Sequence, residues 1–108
     1  MMGIADGYML GHSPVGQTIR RAGLFEAANV PFMTQNNGGN ITLAMVVHMA
    51  AAFERATLHH VVCNHLWEED VVEPVFEVVG GQVQVSEAPG LGLTLNRALL
   101  ERLKTAEV

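Results

Sequence analysis

Residues 30–54 read VPFMTQNNGGNITLAMVVHMAAAFE, and this stretch decides the fold class. The apolar start, Val30–Thr34, predicts a β-strand, and the end, Ile41–Glu54, predicts a helix that is apolar almost all round. The polar segment between them predicts a loop, with Asn40 or Thr42 placed to cap the helix. An all-round apolar helix is expected to be buried on more than one side.

The same strand-and-helix pattern flanks this stretch. Before it, Ala5–Leu10 predicts a strand and Gln17–Ala28 a helix that stops at a left-handed Asn29. After it, Leu58–Leu66 predicts a third strand. Strands that alternate with helices are typical of a parallel sheet, so the fold class is α/β. Because three strands cannot close a barrel of roughly eight, the sheet is either small and open or a piece of a larger barrel.

The rest of the chain predicts smaller elements. Val71–Pro74 and Phe76–Val85 are expected to form a hairpin that turns at Gly80-Gly81. A short helix is expected over Asn96–Lys104, capped by Asn96.

Composition limits the function classes. The 108 residues are 49% hydrophobic and only 16% charged, against about 25% charged in typical domains, so part of the surface is expected to be covered by more protein. A net charge of −5 without a Lys/Arg cluster argues against nucleic acid and anionic membranes as partners. One cysteine, no secretory start and no apolar run of roughly 18 residues predict a cytoplasmic protein without a membrane span.

Several motifs together carry a family resemblance: NNGGNITLAM at 36–45, VHMAAA at 47–52, Glu73-Pro74, Gly80-Gly81 and APGLGL at 88–93. In their order and spacing they resemble the carboxy-terminal region of the enolase superfamily. The mandelate racemase and muconate lactonizing enzyme branch, with its sugar-acid dehydratases, is the most similar.

The resemblance implies a fragment of a modified TIM-type (β/α)7β barrel. Ala5–Leu10 would be its sixth strand, Val30–Thr34 its seventh and Leu58–Val62 its eighth. Residues 1–70 would then form the last third of the barrel, and residues 71–108 a hairpin and helix of the capping region.

The resemblance also implies a chemistry, the removal of a proton beside a substrate carboxylate with the help of Mg²⁺. The family's magnesium ligands and lysine lie on strands that this chain does not contain. Its acid after the sixth strand falls at Gly11 or His12, its histidine at Gln35, and its acid after the eighth strand at Cys63 or Asn64. Glutamine has no titratable nitrogen, so Gln35 cannot act as a general base. The catalytic positions implied are therefore His12, Gln35, Cys63 and Asn64.

A substrate carboxylate is expected at the start of the second helix, where free amide groups and the helix dipole favour anions. The substrate-binding residues implied there are Asn36, Asn37, Gly38 and Gly39. No metal is expected on this chain alone, because the acidic run Glu68–Asp70 suits solvent better than one cation.

Other side chains offer weaker alternatives. Three histidines and the cysteine could suggest zinc (His59, His60, His65 and Cys63), but neighbours in a strand point to opposite faces. Cys63 with His65 remains an alternative nucleophile and base. His48 is expected to be a satisfied buried or interface histidine.

Three hypotheses remain. The chain is a fragment of a Mg²⁺-dependent dehydratase or racemase acting on hydroxy or sugar acids, inactive alone. Alternatively, it comes from a member that lost the histidine pathway, or is a non-catalytic remnant. The third hypothesis is a stand-alone binding or assembly module. The expected partner is the missing amino-terminal part of the same enzyme, or further copies of this chain.

Overall fold

The computed structural model describes residues 3–11 and 14–104 and confirms the α/β class. No helix in these two ranges is long and apolar enough to cross a bilayer. A 3-10 turn, Asn64–Leu66, follows the third strand. The elements in chain order are β1 Tyr8–Leu10, α1 Val15–Ala27, β2 Phe32–Asn36, α2 Asn40–Ala52, β3 Val61–Val62, β4 Val72–Glu73, β5 Thr94–Leu95 and α3 Arg97–Leu103.

The main sheet is parallel with the strand order β1-β2-β3, as the alternation of strands and helices predicts. Its strands differ in extent from the sequence expectation. β1 is confined to the last three residues of the predicted strand. β2 begins two residues late and runs on to Asn36, because Gln35 and Asn36 pair with β3 instead of joining the loop.

The helices begin and end close to their expected positions. α1 starts after Pro14, whose carbonyl accepts the N–H groups of Gln17 and Thr18, and it stops before Asn29 with φ 53°. The left-handed stop is therefore confirmed. The apolar Ile19 is exposed, because α1 buries the face that carries Ala22 and Phe25.

The core between α1 and the sheet is built on aromatic rings. Tyr8 of β1 stacks on Phe25 with ring centroids 4.8 Å apart, and Phe25 lies 5.8 Å from Phe32 of β2. Phe53, just after α2, meets Phe32 edge-on at 6.1 Å. Such pairs stabilise beyond the area that they bury, so they fix both helices on one face of the sheet.

The third strand is much shorter than the predicted Leu58–Leu66. Backbone bonds join Leu58 N–H to the Phe32 carbonyl and Cys63 N–H to the Asn36 carbonyl, so the six residues 58–63 run beside the five residues 32–36. Within this bulge the Thr34 N–H donates to His60 Nδ1, at 3.0 Å, instead of to a strand carbonyl. The ladder is interrupted there, and regular pairing survives only at Val61–Val62.

The predicted hairpin is only partly present. Gly80 and Gly81 adopt positive φ angles, 58° and 78°, and Val79 and Gln82 exchange two backbone hydrogen bonds around them. The turn is confirmed, but the long strands are not. β4 pairs antiparallel with β5 instead, and Asn96 caps α3 by accepting the Leu99 N–H, as predicted.

Candidate functional site

The carboxyl ends of the three parallel strands meet at one edge of the sheet, called here the strand-end edge. Leu10 of β1 lies beside Thr34, and Asn36 of β2 lies beside Val62 of β3. The segments that follow these strands start at this edge. The predicted position His12 lies outside the described residues.

Gln35 lies on the face of the sheet opposite the helices. In β2 the buried side chains are Phe32, Thr34 and Asn36, which alternate with the half-buried Met33 and Gln35. Since side chains alternate across a strand, Gln35 shares the helix-free face with Val61 of β3, which is 41% exposed. In a closed barrel this face would line the interior.

A small hydrogen-bonded group joins two of the strand ends. The Gln35 Nε2 group donates to Asn37 Oδ1 at 3.2 Å, and the Cys63 thiol approaches the same oxygen at 3.7 Å. Gly11 borders this group, since a Cβ on Gly11 would lie 3.3 Å from Gln35 Cβ. The structure thus brings together Gln35, Asn37 and Cys63, whose side chains are two amides and a thiol.

Asn36 points to the other face and shapes the loop after β2. Its Nδ2 donates to the Gly38 carbonyl at 3.0 Å, and its Oδ1 accepts the Gly38 N–H at 3.3 Å. A cavity of about 180 Å³ lies beside this loop, where residues of α1 and α2 line it together with Asn36, Asn37 and Gly38. Three of the four predicted substrate-binding residues, Asn36, Asn37 and Gly38, therefore border one cavity, whereas Gly39 lies against Asp70. Their role in binding stays a prediction.

The start of α2 differs from the sequence expectation. Neither Asn40 nor Thr42 is the capping residue: the N-cap is Gly39, which makes no side-chain cap. Instead, Asp70 Oδ2 accepts the backbone N–H of Asn40 at 2.7 Å and its Nδ2 at 3.0 Å. The expectation that Asp70 belongs to a solvated acidic run is wrong, because its carboxylate is committed to this helix.

Asn64 does not join the group at Gln35. It is 6% exposed, and its Nδ2 donates to the Phe76 carbonyl at 3.0 Å and to Asn40 Oδ1 at 3.4 Å. Its Oδ1 is buried without a partner in the described part of the chain. The 3-10 turn after β3 directs this side chain toward the start of α2, so of the two positions after β3 only Cys63 contacts the group around Gln35 and Asn37.

The histidines have separate surroundings. His60 Nδ1 contacts both the N–H and the hydroxyl of Thr34, while His59 and His65 are exposed. Within residues 3–11 and 14–104 no three His, Cys, Asp or Glu side chains could hold a metal ion together. The described His, Cys, Asp and Glu side chains therefore do not fit a Mg²⁺ site. His48 was expected to be satisfied, yet its buried Nε2 has no partner among the described residues.

Asp70 and His60 are the structural residues that sequence reasoning missed. Asp70 lies 30 residues beyond the backbone N–H that it accepts, and His60 lies 26 residues beyond Thr34. Capping signals are recognised within about three residues of a helix start, so no local pattern could have identified either contact.

The comparisons with known proteins agree with the resemblance. A probable glucarate dehydratase of Streptomyces coelicolor is 41% identical over 70 residues, 63% of this chain and 16% of that protein. Two o-succinylbenzoate synthases, from Geobacillus stearothermophilus and Geobacillus kaustophilus, are 44% and 41% identical over 39 residues, 36% of this chain and 10% of each relative. The chain therefore matches only a small part of the length of these relatives. A family described as enolase C-terminal domain-like matches residues 3–99, and the chain belongs to that family.

Proposed function

We propose that this chain is the carboxy-terminal part of an enolase-superfamily barrel enzyme. In this proposal β1, β2 and β3 are the sixth, seventh and eighth strands of a (β/α)7β barrel, and residues 71–108 belong to its capping region. The observation that carries the proposal is the parallel sheet β1-β2-β3: among the described residues, the buried side chains of β2 all lie on the face where Phe25 of α1 packs. A sheet of this kind is normally covered on both faces or closed into a barrel.

The amount of exposed surface supports the same proposal. The chain exposes 7694 Å², whereas a compact monomer of 11.7 kDa exposes roughly 5900 Å². Its radius of gyration is 15.6 Å, against about 13 Å for a compact domain of 100 residues. The partner that fits this surface is the amino-terminal part of the same enzyme, and copies of the chain would associate in its absence.

The proposed substrate is a small carboxylate, a hydroxy acid or a sugar acid. Gln35 holds Asn37 through its Nε2, which leaves Gln35 Oε1 to accept a hydrogen bond from a substrate hydroxyl. The amides and the thiol at the strand-end edge can orient a substrate. Gln35, however, cannot act as a general base there. Proton removal in this proposal is therefore one-sided, by a lysine outside this chain, as in a dehydration without racemisation. The ligands of Mg²⁺ would also lie outside the chain.

The gene sequence upstream of Met1 gives the first test. The proposal expects a continuous reading frame with a lysine-bearing strand and three strands ending in carboxylates. A stop codon and a ribosome-binding site directly before Met1 would instead support a stand-alone binding or assembly module.

An activity test follows on the complete polypeptide. It is incubated with Mg²⁺ and a panel of sugar acids and hydroxy acids, and formation of 2-keto acids is measured. The matched control replaces the upstream lysine by methionine. Turnover that depends on the lysine supports the proposal, and no turnover of any acid contradicts it.

A further inference from the structure

The carboxylate of Asp70 occupies the amino-terminal end of α2. It accepts two hydrogen bonds from Asn40, one from the backbone N–H and one from the side-chain amide. A Cβ on Gly39 would lie 2.6 Å from Asp70 Oδ2, so the carboxylate can approach this closely only because residue 39 is glycine. Such charge-assisted bonds at a helix start are among the stronger hydrogen bonds of proteins.

This contact is continuous with a buried amide network. Asn40, which is 2% exposed, accepts the Phe76 N–H at its Oδ1 at 3.2 Å and the Asn64 Nδ2 group at 3.4 Å. Asn64 in turn donates to the Phe76 carbonyl at 3.0 Å. Four chain segments are thereby joined, namely the start of α2 after the β2 loop, the turn after β3, the segment around Asp70 and the segment around Phe76.

We propose that Asp70 is a positioning residue that holds the two segments after β2 and β3 in register at the strand-end edge. Its carboxylate fixes Asn40 and so the end of the loop that carries Asn37, while the Asn40 oxygen fixes Asn64 beside Cys63. Asp70 thus supplies the anion at the start of α2 from within the chain. A substrate carboxylate bound at this edge would have to lie elsewhere, toward Gln35 and Asn37.

That the strand-end edge is part of an active site rests on the proposed function, whereas the positioning role of Asp70 does not. Cys63 is the only cysteine of the chain and touches Asn37, so its reaction rate with a disulfide reagent reports on the edge without any substrate. A failure of this test and a failure of the proposed enzyme activity are therefore distinguishable.

The experiment compares thiol reaction rates in the 108-residue chain and its variants, in samples that sedimentation shows to be free of precipitate and in the same association state. Asp70→Ala should raise the Cys63 rate roughly tenfold or more, the factor by which losing a hydrogen bond to a charged group shifts a local opening equilibrium. Sodium formate, which replaces the missing carboxylate, should lower that rate again in a saturable manner. Sodium chloride at the same ionic strength should not. Glu68→Ala, in the same acidic run but exposed, is the matched control and should react like the unchanged chain.

Asp70→Asn keeps the side-chain volume and serves as the second variant. It should react faster than the unchanged chain, yet formate should have no effect because the space is filled. An unchanged Cys63 rate in Asp70→Asn, with helical circular dichroism retained, overturns the proposal. So does a rate in Asp70→Ala that formate leaves unchanged. If Asp70→Ala loses its helical signal, recovery of that signal with formate supports the proposal, and its absence overturns it.

Discussion

At the scale of single residues, Gln35 decides which proton transfers the strand-end edge can perform. It lies on the helix-free face of β2, bonded to Asn37 and next to Gly11. An amide orients a hydroxyl or a carboxylate but does not exchange protons at neutral pH. The edge therefore contributes substrate orientation in the proposed enzyme, and the proton chemistry has to come from groups elsewhere.

Gln35→His tests this division of roles. In the complete enzyme we expect the histidine to raise the exchange of the substrate α-proton with solvent deuterium on this face. A gain of about 10²- to 10⁴-fold is typical of general acid-base assistance. Exchange is measured by proton NMR of recovered substrate. Gln35→Met, similar in size but not titratable, should show no gain. Racemisation by the unchanged enzyme at ordinary rates would contradict the prediction.

Gly39→Ala tests how closely Asp70 packs against the start of α2. Because the added Cβ would lie 2.6 Å from Asp70 Oδ2, we expect a loss of about 1–3 kcal/mol in the free energy of unfolding, measured by urea titration. Gly23→Ala in α1 is the control. Nothing lies within 4 Å of its new Cβ, and the helix interior should gain about 0.5–1 kcal/mol. Equal effects of both substitutions would be inconsistent with this packing.

At the scale of elements, aromatic contacts hold α1 on the sheet. Phe25 lies between Tyr8 of β1 and Phe32 of β2, and it is 9% exposed. Those two strands end at the candidate site. The positions of these strand ends therefore depend on packing between α1 and the helix-covered face of the sheet, whereas Gln35 lies on the other face.

Phe25→Ala should remove this support. Truncation of a buried phenylalanine costs about 3–5 kcal/mol, so the midpoint of urea unfolding should fall strongly. The neighbouring Leu24 is 60% exposed, and Leu24→Ala should change stability by no more than about 0.5 kcal/mol. If the two variants unfolded at the same urea concentration, the aromatic stack would not be what holds α1.

At the scale of the whole molecule, uncovered strands and apolar surface predict association. β1 and β3 each have one unpaired edge in the described sheet, and Met9 on the helix-free face is 51% exposed. Unpaired strand edges pair readily with other chains. We expect the 108-residue chain alone to self-associate or to precipitate in analytical ultracentrifugation. A monomer with a cooperative thermal transition would refute this expectation.

Magnesium binding is the second property of the whole chain that can be tested. Mg²⁺ requires several oxygen ligands in octahedral geometry. Asp70 is committed to Asn40, and Glu69 pairs with Arg102. Isothermal titration calorimetry of the chain should therefore give only weak binding without defined stoichiometry. A one-to-one site with micromolar affinity would show that the acidic run does provide ligands.

The sequence by itself determined the features that depend on neighbours along the chain. The alternation of strands and helices predicted the parallel sheet, and the family resemblance implied that Gln35 and Cys63 follow two of its strands. Asn29, the Gly80-Gly81 turn and the Asn96 cap were also predictable, because each follows from backbone geometry within a few residues. The family resemblance, which the comparisons confirmed, rested on motifs of the same local kind.

Only the tertiary structure decided the contacts between distant segments. His60 interrupts β3 because its ring replaces a strand carbonyl at Thr34, and β4 pairs with β5 instead of closing the predicted hairpin. Asp70 caps α2 from 30 residues away, and Asn64 turns into that network instead of toward Gln35. Hydrophobic periodicity fixes which face of an element is buried. The hydrogen-bond partner of each polar group depends on which distant segments folding brings together, and hydrophobic periodicity does not predict this.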